Sequence, residues 1–144
     1  MKPGDFLQQL DDARLVAAIA KAEHATSGEI RVFISHRRRK DALVAAQIRF
    51  DKLGMRNTKH RNAVLIYIVP RTRSFAIVGD AGVHEKCGES FWTETSGELG
   101  ENLRGLPSTE ALVRAVQKIG GLLAQHFPAD PDHPNELPKE ILRD

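Results

Sequence analysis

Glu29, Asn62 and Asp80 each stand at the end of an apolar run. Two carboxylates and an amide carbonyl are hard oxygen ligands, suited to Ca²⁺ or Mg²⁺ rather than to a soft metal. Gly79 and Gly82 bracket Asp80 and would let a backbone come close to a ligand. Lys59 and Arg61 lie just before Asn62, with Arg56 and His60 in the same stretch. Cations beside a carboxylate-bound metal suit a phosphate-bearing ligand, so Lys59 and Arg61 are the anion-binding candidates. His84 follows Asp80 by four residues and is the best-placed general acid among six histidines. Asp80 and Glu29 are the candidates for ligand or base. The same residue types have plainer uses. Asp and Asn at strand ends cap turns and helices, and Asp80 can cap the helix that follows it. A basic loop can simply be solvated, and a histidine at a helix start can be structural.

The elements that must position these residues follow from periodicity. Residues 5–24 read as a first helix, with Asp5 and Gln8 as a capping box and a stripe at Phe6, Leu10, Ala13, Ala17 and Ala20. Residues 29–35 are β-branched and aromatic, a first strand. Asp41 caps a second helix with Leu43, Ala46, Phe50 and Leu53 toward the core, and Gly54 sits at its C-terminal cap. Residues 63–69 are unbroken apolar sequence, as in a strand buried on both faces. Residues 70–73 are too short for a crossover and turn a hairpin into a third strand at 74–78. Residues 81–105 are mixed and helical, anchored by Phe91 and Trp92. A last helix opens at Pro107-Ser108 with a stripe at Leu112, Val116, Ile119, Leu123 and Phe127. Gly120-Gly121 inside it costs about 1 kcal/mol per glycine, which close packing on a neighbour would offset. The tail, 128–144, holds four of the seven prolines and reads as an extended arm beyond a single domain at 1–127. Asp130, Asp132 and Asn135 in it are oxygen-rich, but the interleaved prolines argue against an EF-hand loop.

Strand, helix and strand make a right-handed βαβ unit with parallel strands; the hairpin adds an antiparallel one. The starts of the first two strands and the end of the third then share one sheet edge. That edge collects Glu29, Asn62 and Asp80 from distant parts of the chain. The run Arg37-Arg38-Arg39-Lys40 falls at the opposite end, where it could hold an anion or RNA or be a solvated turn.

Composition excludes several classes. The chain has 144 residues, 41% hydrophobic and 28% charged, with mean hydropathy −0.35: one globular core, not a disordered chain. No run of about 18 apolar residues occurs and the first ten residues hold no secretory signal, so cytoplasm is the expected compartment. The lone Cys87 excludes an internal disulfide framework. A net charge of +2 is too small to argue for nucleic-acid binding.

The succession from Ser27 to Val32, then Arg61 to Tyr67, then Phe75 to Gly82 resembles the TPM domain, also called TPM phosphatase. The family includes a thylakoid lumen protein that functions in photosystem II repair. Phe91-Trp92, the Gly120-Gly121 helix ending at Phe127-Pro128, and Asn135-Glu136-Leu137-Pro138 resemble its short, soluble bacterial branch. The resemblance implies a three-layer α/β/α sandwich around a small mixed sheet. It also implies a divalent-cation site, calcium ahead of magnesium, at one sheet edge. Acid phosphatase activity has been attributed to some members. The positions that match are Glu29, Asn62 and Asp80. Two departures stand out: Ala63 follows Asn62 where many relatives have Gly, and Asp80 stands where the extracytoplasmic branch often has Tyr.

Two functions of different classes follow. One is a metal-binding or accessory module that organises a protein partner or a small phosphate-bearing ligand without turnover. The other is a metal-dependent phosphohydrolase in which Arg61 neutralises phosphate charge. No P-loop, Cys-x₅-Arg or Asp-x-Asp-x-Thr motif is present. A nucleic-acid-associated basic protein is a third and weaker reading.

Overall fold

A computed structural model describes residues 3–131 and 139–144. In chain order the elements are α1 (Pro3–Gln9), α2 (Asp12–His24), β1 (Glu29–Ile34), α3 (Ala42–Lys52), β2 (Ala63–Val69), β3 (Ser74–Gly79), α4 (Ala81–Cys87), α5 (Glu89–Gly105), α6 (Ser108–His126) and β4 (Leu142–Arg143). A 3-10 turn, Pro70–Thr72, makes the hairpin between β2 and β3, with Arg73 left-handed behind it.

The sheet order is β3-β2-β1-β4. β1 is parallel to β2 and to β4, and β3 is antiparallel to β2. Side chains alternate across a strand, and here each set meets a different helical layer. Ile30, Val32, Ile34, Val64, Ile66 and Ile68 pack with Leu15 and Ile19 of α2, Leu99 of α5 and the α6 stripe. Phe33, Leu65 and Tyr67 pack with Ala46 and Phe50 of α3 and with Met55. The result is an α/β/α sandwich. Every residue of β2 is buried, as its unbroken apolar sequence requires.

The βαβ unit, the hairpin and the α6 stripe are as the periodicity predicts. Four features differ. The first helix is two helices. Asp11 breaks the run, capping α2 through the Arg14 amide at 3.1 Å. Thr109 Oγ1 bridges the break, accepting from Asp11 N and donating to Gln9 O. The break resets the helical phase, so α2 buries Leu15, Ile19 and Glu23, while Ala13 and Ala17 face solvent. On α3, Ala46 and Phe50 are buried but Leu43 is half exposed. Helix side chains lean toward the N-terminus, so Leu43 in the first turn reaches past the sheet. Residues 81–105 form two helices, split at Gly88 with φ 78°. Last, the end of the tail returns as β4, pairing Phe33 with Leu142 and Ile34 with Arg143. Two residues are too few to show strand periodicity in sequence.

Candidate functional site

β1 and β2 begin and β3 ends at one edge of the sheet. Glu29 N donates to Asn62 O at 3.4 Å, and Asp80 N donates to Ala63 O at 3.0 Å. The three expected residues therefore stand on consecutive strands in the order Asp80, Asn62, Glu29. The outer two backbones are two strand spacings apart, about 10 Å.

Their side chains have separate partners. Asp80 is 5% exposed and caps α4, accepting from Ala81 N at 2.8 Å. Arg61 grips the same carboxylate with both edges of its fork, Nε to Oδ2 at 2.6 Å and Nη2 to Oδ1 at 2.7 Å. Arg61 holds a left-handed backbone, φ 52°, to do so. The Asn62 amide donates to Ser27 Oγ at 3.2 Å. Glu29 is 1% exposed, and its carboxyl hydrogen-bonds to that of Glu23.

Glu23 belongs to this edge, although sequence reasoning passed over it. It lies four residues beyond Ile19 on the buried face of α2, a spacing that marks it as a carboxyl in an apolar stripe. Its Oε2 accepts from Ile30 N at 2.7 Å. Burial, then the neighbouring Glu29 charge, push its carboxyl up to about 7, against the Ile30 amide and Lys139, whose Nζ is 3.7 Å away. Arg31, also buried, completes the cluster; burial lowers its pKa, opposed by Glu140, Glu23 and Glu29.

A hollow of about 580 Å³ opens between α3 and the start of α4, in front of Asp80. Gln47, Asp51, Arg56, Arg61 and His84 supply the rest of its polar wall. Arg56 Nε is paired with Asp51 at 2.6 Å. The His84 ring leans on Trp92, 4.9 Å between centroids. Lys59 is exposed on the preceding loop and does not line the hollow.

Gly79 and Gly82 serve the chain itself. A Cβ at Gly79 would overlap the Trp92 indole, and one at Gly82 would overlap the carbonyls of His60 and Arg61. Cys87 is half-buried and its thiol is pushed up by burial, as in a packing residue. Asp132 and Asn135 lie outside the described residues.

The donor set fits a hard cation in kind, since Asp80, Glu29 and Asn62 offer only oxygen ligands. It is not assembled as one shell: Arg61 holds Asp80 and Glu23 holds Glu29. Among the described residues no group of three or more His, Cys, Asp or Glu converges.

The profile of the TPM domain matches residues 1–122. The chain belongs to the TPM domain family. The TPM domain described here is similar to the BA42 protein of the psychrophilic bacterium Bizionia argentinensis sp. nov., whose structure was determined by NMR. The identity is 34%, over 94% of this chain and 95% of that one, with a TM-score of 0.85. No curated protein matches this TPM domain. None of its described helices is long and apolar enough to cross a membrane.

Proposed function

We propose that this TPM domain is a cytoplasmic binding module that takes a divalent cation, calcium ahead of magnesium, at the sheet edge. Asp80 is the principal ligand, and Glu29 and Asn62, at the neighbouring strand ends, would join it by turning from Glu23 and Ser27. The observation that supports this reading is the state of Asp80. It is a nearly buried carboxylate facing an open hollow, neutralised only by a side chain that can leave: Arg61 is 45% exposed. A cation that takes Asp80 releases the Arg61 fork, which is then free for a phosphate-bearing ligand. The module thus couples the two: cation first, anion second.

The test is a thermal-shift titration with Ca²⁺, Mg²⁺ and Mn²⁺ against EDTA, on the native chain and on Asp80→Asn. Ligand at about 100 times its Kd stabilises a fold by roughly 2.7 kcal/mol. That is a shift of several degrees for a domain of this size. The expected result is a calcium-dependent shift that Asp80→Asn abolishes. No shift with any cation would overturn the reading.

One observation favours a second reading, a metal-dependent phosphohydrolase: His84 and Arg61 line the same hollow as Asp80. A bound cation would polarise the phosphate oxygens. Arg61 would neutralise the phosphate, and His84 would hand a proton to the leaving oxygen. Turnover of p-nitrophenyl phosphate that needs the cation, and that is lost in His84→Gln with cation binding intact, would select it.

A further inference from the structure

Among the described residues the exposed large hydrophobic side chains are Leu43, Val44 and Ile48, each about half exposed, and all three are on α3. Val44 and Ile48 are four apart, on one helix face. They line two hollows at once. The first, about 350 Å³, is walled by Arg38, Arg39, Lys40, Arg49 and Lys52. The second is the Asp80 hollow, with Arg56 and Arg61. The apolar pair is therefore a ridge between a cation-lined trough and a hollow whose arginines are paired with Asp51 and Asp80.

The charge around this ridge is lopsided. Residues 37–61 hold nine of the 21 Lys and Arg but only two of the 19 Asp and Glu. The rest of the chain is left with twelve cations against seventeen carboxylates. Some cations of the face are already answered: Arg39 by Asp144, Arg56 by Asp51, Arg61 by Asp80. Arg49 lies over the Phe33 ring at 4.5 Å. Arg37, Arg38, Lys40 and Lys52 have no ion-pair partner among the described residues.

We propose that the α3 face docks this domain on an anionic lipid bilayer, with Leu43, Val44 and Ile48 dipping below the headgroups and the flanking cations meeting lipid phosphates. Clusters of Lys and Arg around an amphipathic helix suit such a surface, and aliphatic burial adds to the electrostatic attraction. A protein partner fits less well. Interface cores are depleted in Lys and anchored by aromatic side chains, whereas the aromatics here, Phe33, Phe50 and Tyr67, are buried beneath the face. A nucleic acid has phosphates for the cations but no use for an aliphatic ridge.

The test is sedimentation of the full chain with vesicles of phosphatidylcholine, with and without phosphatidylglycerol. Arg38→Ala/Lys40→Ala/Lys52→Ala and Val44→Ser/Ile48→Ser are compared with the native chain, with thermal unfolding of each as the control for folding. All five positions are exposed and none is part of the Arg61–Asp80 pair; Val44 and Ile48 border the Asp80 hollow, so the three-alanine variant and Leu43→Ser, which lie outside that hollow, keep the outcome separate from the cation reading. Binding is expected only with phosphatidylglycerol, falling with salt. The three alanines should weaken it on the order of a hundredfold, and the two serines about tenfold. No binding to phosphatidylglycerol vesicles would overturn the proposal, as would equal binding to phosphatidylcholine alone. Serine variants that bind like the native chain would overturn it too, and an RNA oligonucleotide that then displaced them would assign the cations to a soluble polyanion. Should the double serine variant unfold, Leu43→Ser carries the same apolar test.

Discussion

Arg61 and Asp80 form a two-bond fork across the entrance of β2 and the exit of β3, and the arginine adopts a left-handed backbone to reach it. The eighteen residues between them in sequence hold β2, the hairpin and β3. The pair therefore clasps the open end of the hairpin while its carboxylate caps α4. A metal ion at Asp80 would compete with the guanidinium for the same two oxygens.

Removing the competitor should favour the metal. Arg61→Ala is expected to bind calcium more tightly than the native chain in isothermal titration, while losing affinity for inorganic phosphate. Weaker calcium binding in Arg61→Ala would show that Arg61 is not the group displaced.

The buried Glu23 carboxyl sets a pH dependence. Its folded value is about 7 against an ordinary 4.5. The folded chain therefore keeps a proton that the unfolded chain has lost across that interval. The contribution is fully present below pH 4.5 and is lost as pH rises through 7, about 3 kcal/mol in all. Urea unfolding of the native chain between these limits should show the fall. In Glu23→Gln, which can accept from Ile30 N and donate to Glu29, the curve should be flat.

The adjacent glycines of α6 should respond with opposite signs. A Cβ at Gly120 meets Ala22 Cβ of α2 at 2.6 Å, so Gly120→Ala forces two helices apart, at about 1–3 kcal/mol. At Gly121 nothing lies within 4 Å, so Gly121→Ala should stabilise by about 0.5–1 kcal/mol. Thermal unfolding of the two single variants decides it; equal signs would contradict the packing described.

Asp144 closes the far edge of the sheet. Its carboxylate accepts from Ser35 Oγ and His36 N, and Arg39 pairs with it at 2.7 Å. Burial pushes this carboxyl up, but those hydrogen bonds outweigh it and hold it low. Asp144→Ala should cost roughly 1–2 kcal/mol and speed hydrogen exchange at His36 N. In the native chain this support disappears as pH falls through the acid range. Unchanged exchange at His36 would show that the β4 end is not held by this side chain.

The sequence carries its strongest information where one period runs unbroken. The seven apolar residues of β2 and the stripe from Leu112 to Leu123 announce both position and burial. The edge cluster was legible as a set of strand ends, because a βαβ unit and a hairpin admit one arrangement. What periodicity does not carry is the choice of partner. Asp80 pairs with Arg61 rather than Glu29 because side-chain reach decides it, and Glu29 finds Glu23 across the outer edge of β1. The α1–α2 break depends on Thr109, ninety-eight residues from Asp11. Such a bridge leaves no local signal, and α2 lost its expected stripe for that reason.

Trp92 fills the space that Gly79 leaves and rests against His84. It is the single tryptophan of the chain. The indole emission of the native protein consequently comes from one ring of α5, packed on Gly79, the residue before Asp80. A bound cation or a displaced Arg61 should each change its intensity or wavelength. The chain carries its own optical reporter beside Asp80, and binding of the proposed cation would be followed without a label.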